Sequence, residues 1–226
     1  MQWRRLRNSR YVVAGAGGLG SHVLDQLVRL GVRRLEVWDP GVLDEPDLNR
    51  QALYTRTDLG RHKVEAAAER LLSIHPDISL HVLTEPVLED SPLGAKLGGV
   101  DVCFDCLDTA GARRGLEAAL VAAWAGGSAT ADGPRLFVHG GVSGYSGQVV
   151  VFRPPAFALK HVFGERTPAV TNGPPPVLES AVAMVASTQV AEHLRMLDEP
   201  TPPPRLITID ARDMRHDVVD LRMPEE

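Results

Sequence analysis

The residues of this chain that most clearly indicate chemistry are Asp39, Arg50 and Lys63, which share the stretch VWDPGVLDEPDLNRQALYTRTDLGRHKVEAA, residues 37–67. Asp39 has the position of a carboxylate that accepts both hydroxyls of a ribose, although a loop-capping role is the alternative. Arg50 offers phosphate oxygens a planar, permanently charged fork, and Lys63 adds a second positive charge. Taken singly, each cation is best interpreted as a solvated surface charge. As an ordered set with Asp39, they predict a site for a nucleoside triphosphate.

A glycine-rich segment, GAGGLG at residues 15–20, precedes this stretch and lies between a predicted strand and a predicted helix. Gly15 allows a tight turn, Gly17 lets the backbone approach a phosphate, and the helix N-terminus offers unpaired N–H groups. On its own the segment indicates only a nearby nucleotide. Asp108, which follows a later strand, is placed to hold the Mg²⁺ that bridges phosphates.

Alternating strands and helices must position these residues. Over the first 140 residues the hydrophobic pattern alternates strand and helix, which predicts an α/β fold with a Rossmann-like, doubly wound, mostly parallel sheet. Closely spaced later strands, closing with a hairpin over residues 205–223, predict an antiparallel C-terminal extension. A helix is predicted over residues 177–197. The proline-rich segment at about 154–176 is interpreted as a long surface crossover loop, and a single domain over residues 1–226 is expected.

The composition limits the classes of function. The chain has 226 residues, a net charge of -5 and 44% hydrophobic residues, which is typical of a globular protein without a general attraction to nucleic acid. The basic cluster Arg4, Arg5, Arg7 and Arg10 is interpreted as solvated surface. The most apolar stretch carries several charges, which argues for a buried helix rather than a membrane span. With no signal peptide recognised, a cytoplasmic protein is expected.

Four motifs, GAGGLGS, DLNRQ, LGRHKVEAA and DCLDT, resemble those of the ThiF/MoeB/HesA adenylyltransferases, the bacterial relatives of the ubiquitin-activating enzymes. The resemblance runs from about Leu6 to Met223, in the order and spacing of the family. It implies an enzyme that uses ATP and Mg²⁺ to adenylate the C-terminal glycine of a small ubiquitin-like carrier protein ending in Gly-Gly, releasing pyrophosphate. Such carriers usually deliver sulfur to thiamine, molybdopterin or related products. A homodimer is also implied.

The resemblance implies roles for particular residues. The nucleotide would be framed by Gly15, Gly17, Gly18 and Gly20, and its ribose bound by Asp39. Its phosphates would be surrounded by Asn49, Arg50, Gln51 and Lys63. Asp108 would serve Mg²⁺ and the reacting centre, so Arg50, Lys63 and Asp108 are the implied catalytic residues. No general base is required, because a C-terminal carboxylate is already ionised at neutral pH.

The sequence departs from the family in its cysteines. Many members bind structural zinc through two CxxC pairs, but the matching stretches here, FALKHVFGE and DARDMRHDV, contain no cysteine, so no zinc is expected. The crossover loop also lacks the cysteine with which some members form a thioester or persulfide. Cys103 and Cys106 lie in one predicted strand with a spacing that points their side chains to opposite faces, which favours core packing. The histidines, His139 among them, are scattered and are interpreted as structural or surface residues.

Two further departures concern the nucleotide. The chain begins almost at the first strand, whereas members usually carry an N-terminal helical extension whose arginine reaches the ATP of the partner subunit. Asp47 stands where the family often has asparagine, and an extra carboxylate there would either repel the triphosphate or help a metal ion. A catalytically degenerate nucleotide-binding subunit of the same fold is therefore an alternative. A nicotinamide-dependent oxidoreductase is a weaker alternative, because it leaves Arg50 and Lys63 without a purpose.

Overall fold

The computed structural model describes residues 2–87, 97–125, 134–155, 158–164, 177–198 and 203–221. The helices are α1 (Gln2–Asn8), α2 (Gly18–Arg29), α3 (Lys63–Ile74), α4 (Ala110–Ala125), α5 (Lys160–Phe163) and α6 (Glu179–Asp198). The strands are β1 (Arg10–Ala14), β2 (Arg34–Trp38), β3 (Ser79–Leu83), β4 (Val102–Asp105), β5 (Leu136–Ser143), β6 (Ser146–Phe152), β7 (Arg205–Asp210) and β8 (Arg215–Asp220). Two short 3₁₀ helices, Glu45–Asn49 and Arg56–Asp58, lie between β2 and α3.

Within the described residues the strands form one sheet in the order β3-β2-β1-β4-β5-β6-β7-β8. The pairs from β3 to β5 are parallel, and those from β5 to β8 are antiparallel. The predicted doubly wound sheet with an antiparallel extension is therefore confirmed. The parallel strands read as short apolar runs because helices cover both of their faces.

The two faces of the sheet bury separate hydrophobic clusters. Tyr11 and Val13 of β1 face the cluster that α2, α3 and α6 cover, whereas Val12 and Ala14 face the cluster under α4. Cys103 belongs to the cluster under α4 and Cys106 packs against the other, as the spacing of the two thiols predicted. Burial, followed by the charge of Asp105, raises the pKa of both thiols, so neither is a thiolate at neutral pH.

The N-terminus differs from the sequence prediction, because the helix α1 precedes β1. Leu6 of this helix is fully buried, and Arg5 donates from Nη1 to the Leu197 carbonyl oxygen at 2.8 Å, which ties α1 to the end of α6. Arg10 pairs with Glu36 and donates to the Gly98 carbonyl oxygen at 2.7 Å. Half of the basic cluster that was interpreted as solvated surface therefore holds the fold together.

The crossover loop predicted at 154–176 falls mostly outside the described residues, and α5 lies in the part that is described. Helix α6 begins two residues later than predicted. Among the residues that the structure describes, no helix is long and apolar enough to cross a membrane.

Candidate functional site

The predicted site residues lie at the carboxyl edge of β2, β1 and β4, which are neighbours in the sheet. After β1 the chain moves through β2 to β3 on one side, and it then crosses back to place β4 on the other side of β1. Such a reversal leaves a crevice beyond the strand ends, where open α/β sheets bind their ligands.

The glycine turn follows β1 directly and is shaped by close backbone contacts. Gly15 has a φ of +96°, and a Cβ there would lie 2.5 Å from the Cys106 carbonyl oxygen. A Cβ on Gly20 would overlap the Gly15 carbonyl oxygen, so the first turn of α2 requires glycine there too. By contrast, a Cβ on Gly17 would meet only Gln51 Nε2, at 3.8 Å. The turn is thus closed behind Gly15 and open beside Gly17, which leaves room for a phosphate at the start of α2.

Asp39 connects the end of β2 to this turn. Its Oδ2 accepts a hydrogen bond from the Ala16 backbone N–H at 2.7 Å, and its Oδ1 accepts from the Gly41 N–H at 2.7 Å. The carboxylate therefore caps two loops, and each oxygen keeps a further lone pair for a ribose hydroxyl. Tyr54 donates to the Ala16 carbonyl oxygen at 2.7 Å. Burial, with the charge of Asp39 second, raises the pKa of Tyr54 well above its usual value, so its hydroxyl remains a donor.

Asp47 is the centre of the polar cluster in the loop. Its Oδ2 lies 3.2 Å from Lys63 Nζ, and its Oδ1 lies 3.6 Å from Arg50 Nη2. Gln51 Nε2 donates to the same Oδ1 at 2.6 Å. The side chains of Asp47 and Lys63 are each 14% exposed, so their ion pair is well shielded from water. The structure thus brings three predicted phosphate ligands together around a carboxylate that the sequence analysis left unresolved.

The loop is held in this shape by local hydrogen bonds. Asp44 and Asp47 form a capping box around the 3₁₀ helix Glu45–Asn49. Arg50 Nη1 donates to the Pro46 carbonyl oxygen at 2.9 Å and to Asn49 Oδ1 at 3.0 Å, which turns its guanidinium back over the helix. Asn49 is exposed, so its side chain borders the loop rather than the core.

Lys63 is positioned by the start of α3, of which it is the first residue. Its backbone N–H donates to the Gly41 carbonyl oxygen at 2.9 Å, and a Cβ added to Gly41 would lie 3.3 Å from the Lys63 stem. Asp39, Gly41 and Lys63 are therefore neighbours. Gly18 is also close to this cluster, because a Cβ there would lie 3.8 Å from Arg50 Cγ.

Asp108 lies at the same edge of the sheet, just before α4, and is exposed. Within the described residues, no hydrogen bond or ion pair joins it to the Asp47 cluster, so its role with Mg²⁺ stays a prediction. No group of three or more His, Cys, Asp or Glu side chains is placed to hold a metal ion within the described part of the chain. The expectation about zinc also stays a prediction.

Asp105 and His139 form a buried pair that was not predicted from the sequence. Asp105 Oδ2 lies 2.7 Å from His139 Nδ1, and the two side chains are 0% and 1% exposed. Their strands align these residues directly, because Asp105 of β4 pairs in register with His139 of β5. The sequence hinted at this pair only in that Asp105 and His139 each follow three apolar residues of a predicted strand, and the two strands are neighbours in the sheet.

A cavity of about 1010 Å³ lies beside this pair, between α4 and the segment that contains α5. His139 lines it together with Arg113, Glu117, Lys160 and Phe163. Burial raises the pKa of Glu117, whose Oε1 accepts from the Leu159 N–H at 2.9 Å. This second concave region lies across the sheet from α2 and α3.

The geometry around Gly17 suits a substrate that carries several phosphates. Open backbone beside the start of α2 can receive one phosphate, and Arg50 and Lys63 supply positive charge within the same crevice. In the structure both cations contact Asp47, and phosphate oxygens can replace its carboxylate as their partner. The arrangement can neutralise charge on a leaving group and orient reactants.

Comparisons with known proteins identify the family of the chain. The model of the ThiF family matches residues 2–226. The chain is 29% identical over 197 residues to the molybdopterin-synthase adenylyltransferase of Escherichia coli. The aligned region covers 85% of this chain and 74% of the relative. The chain is 30% identical over 225 residues to the SAMP-activating enzyme E1 of Haloferax volcanii, covering 96% and 78%.

The sulfur carrier protein adenylyltransferase of Thermus thermophilus is 30% identical over 207 residues, covering 85% of this chain and 70% of the relative. Among solved structures, the microcin C7 biosynthetic enzyme MccB in complex with N-formylated MccA superposes with a TM-score of 0.80 at 17% identity. That match covers 99% of this chain and 68% of the MccB chain. At this identity the likeness shows the fold alone.

Proposed function

The chain belongs to the ThiF family, and from that premise we propose that it is an ATP-dependent adenylyltransferase acting on a small ubiquitin-like sulfur-carrier protein. It activates the C-terminal glycine of the carrier and releases pyrophosphate. The single observation that carries the proposal is the pairing of Arg50 and Lys63 around Asp47 beside the open glycine turn. The pyrophosphate of a dinucleotide can be bound by the helix N-terminus and does not require two further cations.

ATP is a substrate of the proposed reaction, and its α-phosphorus is the atom that the carboxylate of the carrier attacks. Asp39 accepts the ribose hydroxyls, while Gly15, Gly17, Gly18 and Gly20 leave backbone room for the phosphates. Arg50 and Lys63 exchange Asp47 for the oxygens of the leaving pyrophosphate, and Asn49 and Gln51 border them. Asp108 holds Mg²⁺. The demand on the protein is orientation and charge neutralisation, since the attacking carboxylate needs no base.

We assign this reaction to a single domain over residues 1–226 that acts in the cytoplasm as a homodimer. The carrier has a C-terminal Gly-Gly, and its product is a sulfur-containing cofactor of the thiamine or molybdopterin kind. The kind of carrier is supported by the names of the relatives, which include sulfur-carrier and molybdopterin-synthase adenylyltransferases.

The test of this function is direct detection of the adenylated carrier. The protein is incubated with ATP, Mg²⁺ and ubiquitin-fold carriers that end in Gly-Gly, and the carrier is examined by mass spectrometry for AMP on its C-terminus. A carrier without its last two glycines is the matched control. Adenylation of the intact carrier alone supports the proposal, and modification of neither carrier contradicts it.

A second candidate is a catalytically degenerate nucleotide-binding subunit of the same fold, and Asp47 is the observation that favours it. Its carboxylate pairs with both cations, which lowers the net positive charge that a triphosphate meets. Thermal stabilisation by Mg-ATP without any adenylation would support this candidate. Stabilisation by NAD and not by ATP would instead favour an oxidoreductase.

A further inference from the structure

The Asp105–His139 pair is held more firmly than a chance contact in the core. Asp105 accepts at Oδ1 from the Leu107 backbone N–H at 3.1 Å, while Arg113 Nε lies 3.8 Å from its Oδ2. Arg113 is fixed in turn, because its Nε donates to the Leu107 carbonyl oxygen at 3.0 Å. The Asp105 carboxylate thus has a backbone donor and a nearby cation in addition to His139, and it can fix the orientation of the imidazole.

The second nitrogen of His139 has no described partner. With Nδ1 donating to Asp105, Nε2 presents a lone pair, and this buried atom finds no hydrogen-bond partner among the described residues. A buried polar atom without a partner is costly, which calls for an explanation. The imidazole lines the cavity under α4, where the ring of Phe163 packs edge-on against it at a centroid distance of 5.2 Å.

The lining of the cavity indicates what kind of molecule it receives. Arg113, Arg114 and Lys160 contribute positive charge, against Glu117 as the carboxyl group among the described lining residues. Much of the remaining wall is apolar, with Val121, Leu159 and Phe163 among its side chains. A small molecule with a carboxylate and a short aliphatic body fits this combination of charge and surface.

Residues at the carboxyl end of β4 connect the cavity to the nucleotide crevice. Asp105 directly precedes Cys106, whose carbonyl oxygen faces Gly15 of the glycine turn. Ala110 and Arg113, in the first turn of α4, line the cavity, and Asp108 lies just before that helix. A group that enters the cavity therefore approaches the carboxyl edge of the sheet from the face opposite α2.

We propose that Asp105 and His139 form a proton-accepting pair for the step that follows adenylation, an inference that rests on the proposed function. The acceptor is a thiol or primary amine that carries a carboxylate. Its sulfur or nitrogen forms a bond to the carbonyl carbon of the acyl-adenylate, the bond from that carbon to the phosphate oxygen breaks, and AMP leaves with the electron pair. His139 Nε2 takes the proton of the nucleophile, while Nδ1 keeps its own proton in the hydrogen bond that it donates to Asp105.

The experiment separates the two half-reactions. ATP–pyrophosphate exchange with a Gly-Gly carrier reports adenylation, and AMP release after addition of 3-mercaptopropionate or β-alanine reports transfer to a thiol or an amine. His139→Asn keeps a donor for Asp105 but removes the base. We expect its exchange rate to stay within about threefold of the unmodified protein, and its acceptor-dependent AMP release to fall by about 10²-fold or more.

His216→Asn is the matched control, since His216 is exposed on β8 and does not line this cavity, and it should leave both rates unchanged. Asp105→Asn is a second variant that acts on the proton of the imidazole while keeping the size of the side chain, and it should slow AMP release in the same sense. Equal AMP release with and without His139, parallel loss of both half-reactions, or no acceleration by either acceptor would overturn the inference. A lack of exchange in the unmodified protein contradicts the proposed function itself, and it is seen before any acceptor is added.

Discussion

Two carboxylates, Asp47 and Asp105, each gather cationic or basic side chains at the same edge of the sheet, but under opposite conditions. Asp47 lies in a loop, is 14% exposed, and holds long cations at 3.2 and 3.6 Å. Asp105 ends a central strand, is 0% exposed, and holds an imidazole from the neighbouring strand at 2.7 Å. The loop cluster can exchange its partners for those of a ligand, whereas the strand pair is fixed by the sheet.

The difference follows from the cost of removing charge from water. A buried carboxylate that loses its partner stays buried and unpaired, whereas a loop side chain can turn toward solvent. Lys63 and Arg50 also have long, adaptable side chains, which suits them to a choice between Asp47 and phosphate. His139 has a short side chain on a strand, so it keeps one orientation.

The largest effect that would distinguish the two clusters is on stability. Asp105→Ala leaves His139 and Arg113 without their carboxylate, and we expect the free energy of unfolding to fall by about 3 kcal/mol or more. Asp47→Ala, the matched loop variant, should cost less, about 1–2 kcal/mol, because it removes a shielded ion pair and half of a capping box. Urea denaturation followed by circular dichroism measures both. Equal losses would mean that the two clusters do not differ in the way described.

A third polar group, His193, extends the comparison because it is fixed and buried as Asp105 is. It contacts the Tyr11 hydroxyl through Nε2 at 3.2 Å, and burial lowers its pKa from 6.5 to about 3. Between pH 6.5 and about 3, His193 is protonated in the unfolded chain but stays neutral in the folded protein. Stability should therefore fall as the pH drops from 6.5 toward 3, by about 1.4 kcal/mol per pH unit from this group.

His193→Gln isolates this contribution, because glutamine keeps a polar partner for Tyr11 but does not titrate. The unfolding free energy of the variant, measured across that pH range, should depend less steeply on pH than that of the unmodified protein. Identical slopes would mean that His193 does not resist protonation in the folded state.

Arg50 and Lys63, the cations around Asp47, should matter more for catalysis than for folding. Arg50→Ala and Lys63→Ala should each lower the rate of adenylation by at least about tenfold, or about 1.4 kcal/mol, because each removes a cation from the leaving pyrophosphate. Arg56→Ala is the control, since Arg56 lies in the same loop with a side chain 80% exposed. Near-normal rates in both test variants would remove these residues from the mechanism.

The smallest effect concerns Asp47 itself. Asp47→Asn removes a negative charge 3.2 Å from Lys63, so we expect ATP to bind about threefold more tightly, with little change in stability. Isothermal titration calorimetry with and without Mg²⁺ measures the change. Weaker binding that appears only with Mg²⁺ would show that Asp47 helps to hold the metal ion, the alternative that the sequence left open.

Much of the fold was predictable because each element is short and strongly patterned. β1 and β4 are apolar runs between glycine or helix signals, and the motifs fix the ends at which Asp39 and Asp108 lie. Helix α1 was missed because seven residues, five of them with charged or amide side chains, show no clear period, and its stability comes from Leu6 in the core and from the contact of Arg5 with α6. That contact joins distant parts of the chain.

The sequence could indicate that Arg50, Gln51 and Lys63 lie together, because they belong to one stretch of the chain, and their roles stay predictions. The position of Asp47 at the centre of these side chains depends on the fold of the 3₁₀ helix, which the sequence did not define. His139 was interpreted as structural or surface because its pairing with Asp105 depends on the register of two strands 34 residues apart. Such a pairing is set by tertiary structure and leaves no local pattern.

The most direct test of the account is ATP–pyrophosphate exchange with Gly-Gly carriers, comparing the unmodified protein with the Arg50→Ala/Lys63→Ala double variant. The account predicts exchange that requires both the carrier and Mg²⁺, and that falls by at least about tenfold in the double variant while its stability is retained. Exchange at the unmodified rate in the double variant would contradict the claim that these cations bind the leaving phosphates. The claim would also be contradicted if the unmodified protein showed no exchange and if NAD, but not Mg-ATP, raised its thermal stability.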